Sequence, residues 1–264
     1  MSALQITAFG QTGFLFKFQQ TRILIDPYLT EYVADKYGEH LKRVSPSKIE
    51  FNELSNIDLI LITHSHEDHC DPLSLAELIK INPSAKILGS YDCAEVLESN
   101  GIGTHNFGIA DEGTIDSRNS SITIRTVPSA HTELEFSANG HSKFLGYVLD
   151  FGGTVIYHAG DTIPHEKITK ALEAKTIDFA FLPINERNYF REREGIIGNM
   201  SPKEALLWAE ELKVKTLIPT HWDTFEPNST HPEELNLLYN KRQYDFNLKW
   251  LEIDQTISIN KNDV

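Results

Sequence analysis

The stretch Ile57-Asp58-Leu59-Ile60-Leu61-Ile62-Thr63-His64-Ser65-His66-Glu67-Asp68-His69-Cys70-Asp71-Pro72 decides how the rest of the chain is read. Its first seven residues form a largely apolar, branched run of strand length, which predicts a buried strand. Pro72 then opens a segment in which Leu73, Leu75, Ala76, Leu78 and Ile79 recur at helical spacing. Proline suits a first helical turn because its missing N–H has no partner there. Four potential metal ligands, His64, His66, Asp68 and His69, therefore fall within six residues of a strand-to-helix loop. Side chains alternate along extended backbone, so His64 and His66 face the same way and can share one cation. Asp68 and His69 can face a second cation beside it. Histidine pairs also arise by chance in surface loops, but four such groups crowded after a buried strand are costly unless they bind something.

Working outward, residues 6–9, 14–18 and 23–26 read as an antiparallel meander broken by Gly10 and Gly13. Residues 28–51 have weak periodicity and read as an inserted loop or short helix near the site entrance. Beyond the histidine loop, strands are expected at 86–89, 122–127, 145–151, 154–158, 177–182, 216–218 and 248–253. Helices are expected at 94–99, 164–174, 202–212 and 232–239. Two β-rich halves, each finished by βα units, predict an α/β fold, a four-layer αβ/βα sandwich formed as one domain over residues 1–264.

The chain has 264 residues, 40% hydrophobic and 23% charged, a composition that supports a large core. A formal charge of −14 without any dense basic stretch repels polyanions and argues against a nucleic-acid partner. Two cysteines, Cys70 and Cys93, are too few for a disulfide framework and fit a reducing cytoplasm. Cys70 is expected to be packed inside rather than ligating. No apolar run approaches bilayer-spanning length and the first residues do not read as a secretion signal, so neither export nor a membrane partner is expected.

Three more candidate ligands each follow a β-like run: His131 after Thr126-Val127-Pro128-Ser129-Ala130, Asp161 after Ile156-Tyr157-His158-Ala159-Gly160, and His221 after Leu217-Ile218-Pro219-Thr220. Strand ends are where a rigid scaffold presents chemistry. Singly, each histidine could be an ordinary loop residue, and Asp161 could be a helix N-cap ahead of Pro164. Their recurrence at strand ends favours a shared site.

The ordered set His64-x-His66-x-Asp68-His69, His131, Asp161 and His221 resembles the ligand motif of the metallo-β-lactamase superfamily. The resemblance implies that fold and two divalent metal ions. His64, His66 and His131 would hold one, Asp68, His69 and His221 the other, with Asp161 bridging. It also implies hydrolysis by a metal-activated water, Asp68 positioning the water and moving its proton. Asp68-His69-x-Asp71, Leu182-Pro183-Ile184-Asn185, Ile196-Ile197-Gly198-Asn199-Met200 and Pro219-Thr220-His221-x-Asp223-Thr224-Phe225 are most similar to the L-ascorbate-6-phosphate lactonase branch. That branch implies a phosphorylated sugar lactone and manganese, although this chain looks shorter. The ligand types alone fit zinc (Zn2+), manganese (Mn2+) or iron.

Residues 185–193 concentrate Arg187, Arg191 and Arg193, whose planar guanidinium groups could grip a phosphate, or could simply pair with Glu186, Glu192 and Glu194. Arg187, Tyr189, Arg191 and Asn199 are thus candidate substrate-binding residues. His158 and His165 flank Asp161 and read equally as supporting or exposed histidines. The competing functions are phosphodiester hydrolysis on a small or lipid-derived substrate and a non-catalytic metal sensor. A homo-oligomer is compatible with either.

Overall fold

The computed structural model describes residues 3–119 and 121–260. Short apolar runs separated by glycine turns give β1 (Leu4–Gly10), β2 (Gly13–Phe18) and β3 (Thr21–Ile25), the expected meander. β4 (Leu59–Ile62), buried at every position, joins β3 in parallel, as do β5 (Lys86–Gly89) and β6 (Phe107–Ile109) in turn. The second sheet repeats this plan. β7 (Ile115–Asn119), β8 (Ile122–Pro128), β9 (Leu145–Phe151) and β10 (Thr154–His158) pair antiparallel, then β11 (Phe179–Pro183), β12 (Thr216–Thr220) and β13 (Asn247–Leu248) add in parallel. The last strand, β14 (Thr256–Ile259), returns to the first sheet beside β1.

Each sheet carries helices on its outer face. α1 (Tyr32–Tyr37), α2 (Pro72–Ile81) and α3 (Tyr91–Ser99) follow strands of the first sheet, and α4 (Glu166–Leu172), α5 (Tyr189–Arg193), α6 (Pro202–Glu211) and α7 (Pro232–Lys241) those of the second. Leu75 and Leu78 of α2 and Leu97 of α3 pack on Leu24 and Ile60. Trp208 of α6 and Leu235 of α7 join Tyr157 and Leu217. Between the sheets Phe16 stacks on Phe151 at 5.9 Å and Phe14 meets Phe181 edge-on at 4.8 Å. Burying one such ring contributes about 1.5–3 kcal/mol. The result is the four-layer α/β sandwich of the metallo-β-lactamase fold.

Several boundaries differ from the sequence expectation. β6 and β7 were not foreseen, because three residues around Gly108 and a run containing Asp116, Ser117 and Arg118 show no apolar alternation. α3 starts at Tyr91, after Ser90, and α4 starts only at Glu166, where the His165 side chain accepts the N–H of Lys167. Of the strand expected over residues 248–253 only Leu248 lies in one, at the end of β13, and β14 begins at Thr256 in the other sheet. Residues 28–51 resolve into α1 and a 3-10 turn, Glu39–Leu41, with a second 3-10 turn following at Phe51–Leu54. Among the described residues no helix is long and apolar enough to cross a membrane.

Candidate metal centre

Because β1, β3, β4, β8, β10 and β12 all end at the same rim of the sandwich, their following residues meet there. His64, His66, Asp68 and His69 follow β4, His131 follows β8, Asp161 follows β10 and His221 follows β12. The structure brings all seven side chains together. Asp161 lies centrally: Oδ2 is 3.1 Å from Nε2 of His131, 3.4 Å from His221 and 4.0 Å from His64, and Oδ1 is 3.3 Å from Nε2 of His69. Asp68 Oδ2 stands 3.6 Å from His221 and 3.8 Å from His69. Asp161 does not cap a helix; α4 begins five residues later.

Local sequence makes this convergence possible. Gly160 turns with φ +61°, and a Cβ there would lie 2.8 Å from Cβ of Thr63, so only glycine lets the loop after β10 approach the end of β4. His221 itself holds φ +57°, in the left-handed region that costs a non-glycine residue about 1–3 kcal/mol and clusters at functional sites. Phe144 closes one side, its ring 5.0 Å from His64 and 5.2 Å from His131.

A supporting layer sets which ring nitrogens are available. The Nδ1–H of His69 donates to Asp26 Oδ2 at 2.8 Å, and Thr12 Oγ1 lies 3.0 Å from the same nitrogen. Thr63 Oγ1 donates to Asp26 Oδ2 at 2.7 Å and so accepts from Nδ1–H of His64 at 3.0 Å. Both rings consequently aim Nε2 inward, the nitrogen through which a cation would be bound. His158 is also buried and supporting: its Nε2–H donates to the Thr12 carbonyl at 2.9 Å.

The donor set fits a cation. Nε2 of His64, Nε2 of His69 and Oδ1 of Asp161 are buried without any hydrogen-bond partner. Leaving each buried and unpartnered costs about 1–3 kcal/mol unless another group satisfies it. Three groupings, His64/His69/Asp161, His66/His131/Asp161 and Asp68/His69/His221, each keep their donor atoms within 4.8 Å of one another. Burial, helped by His69 and His66, holds His64 well below its ordinary pKa, and burial lowers His66 likewise. Burial opposes the charge on Asp161, yet His221 and His69 keep it well below the usual carboxylate range. At His69 burial is outweighed by Asp161, Asp68 and Asp26, which raise its pKa well above the ordinary value. A cation placed among them would displace the proton that these carboxylates hold on His69, and imidazole nitrogens among carboxylates are the donors a divalent metal uses.

A model of the β-lactamase superfamily domain matches residues 21–222 of the chain. A UPF0173 metal-dependent hydrolase from Thermococcus onnurineus is 34% identical over 223 residues, 82% of this chain and 84% of the relative. The chain belongs to the UPF0173 metal-dependent hydrolase family of the β-lactamase superfamily. Among solved structures, Igni18, a metallo hydrolase from Ignicoccus hospitalis, aligns with a TM-score of 0.74 at 22% identity over 98% of this chain and 99% of that one. An isothiocyanate hydrolase from Delia radicum gut bacteria aligns with a TM-score of 0.73 at 16% identity over 97% and 98%. Both share the fold.

In this family member the cluster opens into a cavity of about 560 Å³. Val33, Leu41, Ile196, Ile197 and Phe225 give it an apolar wall, and Glu67 and Glu194 an acidic rim. None of the four residues expected to bind substrate lines it. Arg187 is held by both carboxylate oxygens of Glu204, at 2.6 and 3.1 Å, and by the Asn199 carbonyl at 2.9 Å. Arg191 donates to the carbonyls of Asn185, Glu186 and Ser229. Tyr189 is two-thirds exposed beside Phe190, and Asn199 is buried, donating to Asn185 Oδ1 at 2.9 Å. The segment is folded as a brace, and its contribution to the cavity comes from Glu194 to Ile197. Cys70 is buried and packs with Leu75 and Cys93 as expected. Sequence reading missed Gln11, Thr12 and Asp26: each follows a strand, but Gln11 and Thr12 lie between glycines and Asp26 precedes a proline, where a polar residue reads as an ordinary turn.

Proposed function

We propose that this UPF0173 hydrolase opens a small, uncharged ester, a lactone being its cyclic form, with two divalent cations, Mn2+ or Zn2+, held by the seven clustered side chains. The carrying observation is the convergence of seven nitrogen and oxygen ligands around Asp161, with three of their buried atoms left without protein partners. His64, His66 and His131 would hold one cation, Asp68, His69 and His221 the other, and Asp161 would serve both. Such cations lower the pKa of coordinated water to about 7 and polarise a carbonyl oxygen. Asp68 is open to the cavity, its side chain 17% exposed, so it is placed to orient an incoming water and take its proton. The wall of Val33, Leu41 and Phe225 excludes bulk water and receives the apolar part of the substrate.

The absence of any lysine or arginine among the described residues lining the cavity supports an uncharged substrate over a phosphorylated one. Openness beside Asp68 also favours turnover over a closed metal sensor. The test is parallel assay of Mn2+- and Zn2+-loaded protein against simple lactones, a phosphorylated sugar lactone, an isothiocyanate and bis(p-nitrophenyl) phosphate. Preferential turnover of the uncharged lactones is expected. Turnover of the phosphodiester alone, or of nothing in the panel, overturns the reading.

A further inference from the structure

The side-chain amide of Gln11, buried at the turn between β1 and β2, sits among the donor atoms of one metal grouping. Its Nε2 is 2.5 Å from Asp68 Oδ2 and 2.8 Å from Nε2 of His221, two of the three atoms of the Asp68/His69/His221 grouping. The placement is built by the backbone. Gln11 N donates to Asp223 Oδ1 at 3.1 Å, its carbonyl accepts the N–H of His221 at 2.9 Å, and φ is +56°, a conformation a non-glycine residue adopts at a cost. Two strained residues, Gln11 and His221, are thus locked to each other through both main chain and side chain.

We propose that Gln11 is an additional ligand of the cation held by Asp68, His69 and His221, donating its side-chain carbonyl oxygen. The inference rests on the reading of the cluster as a two-cation site. The amide nitrogen and oxygen exchange places by a half-turn about the last side-chain torsion, with no change of shape. With the N–H end inward, Gln11 uses the lone pairs of Asp68 and His221. With the oxygen inward, those lone pairs are released and a neutral oxygen joins them. The two positions then differ in chemistry. One has three imidazoles and Asp161, whereas the other has two imidazoles and three oxygens, from Asp68, Asp161 and Gln11. Oxygen-rich sites favour hard cations such as Mn2+.

The experiment compares chelator-stripped wild type, Gln11→Asn and Gln11→Glu, each titrated with Mn2+ alone and followed by calorimetry and by the electron paramagnetic resonance signal of free Mn2+. Asparagine tolerates the left-handed backbone but is one methylene too short to reach. Circular dichroism checks that both variants fold. Wild type should take up two ions. Gln11→Asn should keep one ion unchanged and bind the second about tenfold more weakly or worse, while Gln11→Glu, with a carboxylate oxygen in place of the amide's, should hold the second at least as tightly as wild type. Gln11→Asn binding both ions like wild type, or the second more tightly, overturns the proposal and leaves the two-cation reading standing. So does loss of the second ion in Gln11→Glu. Wild type that binds fewer than two ions overturns both.

Discussion

Asp26 Oδ2 lies 2.8 Å from Nδ1 of His69, and neither side chain is reached by solvent. The same carboxylate accepts the N–H of Thr63 at 2.8 Å and its hydroxyl at 2.7 Å, so one buried group orients two histidines of the cluster. Asp26→Asn offers an N–H where His69 needs an acceptor, which favours the tautomer whose proton sits on the inward nitrogen. Metal affinity, measured by competition with a chromogenic chelator, is expected to fall about 10- to 100-fold. Wild-type affinity in a folded Asp26→Asn protein would show that Asp26 only packs.

Asp68 is assigned both a ligand and a proton-handling role, and Asp68→Asn separates the two. An amide retains an oxygen for a cation but no basic lone pair at cavity pH. Turnover of the best substrate in the panel should drop at least about 100-fold, the usual worth of a general base, with more modest loss of bound metal by elemental analysis. Equal loss of metal and activity would reduce Asp68 to a ligand.

Arg187 and Glu204 pair bidentately at the start of α6, where Glu204 also completes a capping box with Ser201. Both are about one-third exposed, so solvent screening limits the pair to about 1 kcal/mol. Arg187→Ala should lower the thermal midpoint by a few degrees and leave KM unchanged for charged and uncharged substrates alike. A KM rise confined to a phosphorylated substrate would restore the phosphate-binding role that the sequence suggested.

The contrast between these residues shows what a sequence can carry. His64 to His69 were legible because strand, ligands and helix start are contiguous, and His131, Asp161 and His221 because each follows a recognisable strand. Gln11 and Asp26 were not, since nothing local distinguishes a turn residue from one that meets a partner more than forty positions away. The partners of Arg187 and Arg191 were hidden for a related reason. Charge counting shows three guanidinium groups in one segment but not that Glu204 and four backbone carbonyls already hold two of them. The layer order was readable from strand and helix alternation, whereas β14 crossing back to β1 depends on long-range pairing alone.

Tyr147, fully buried on β9, donates its hydroxyl to the Ile62 carbonyl of β4 at 2.8 Å. This bond crosses between the sheets one residue before Thr63 and thus steadies the strand end that launches the histidine loop. Tyr147→Phe removes the donor and leaves a buried carbonyl short of a partner, costing about 1–3 kcal/mol. Urea denaturation should show a lowered midpoint with an unchanged slope. A midpoint equal to wild type would mean that the carbonyl finds another donor.

Asp111 provides the clearest pH dependence. Its Oδ1 accepts the N–H groups of Ser142 and Glu112 at 3.0 and 2.8 Å, and Oδ2 lies 2.8 Å from Nδ1 of His141, so it ties down the chain leading to Phe144 and the metal-site histidines. Partial burial pushes its pKa up, but the bonds from Ser142, His141 and Glu112 prevail and pull it from 3.8 to about 2. A folded-state pKa below the unfolded one means stabilisation that is complete above 3.8 and is lost as pH falls through about 2. Its side chain is 36% exposed, so screening keeps the effect below about 1 kcal/mol. Asp111→Asn should therefore melt about 2–4 °C below wild type at pH 6, and the two melting curves should converge as the pH is lowered from 3.8 toward 2. A gap of constant size down to pH 2 would assign the contribution to hydrogen-bond shape rather than to the ionised carboxylate.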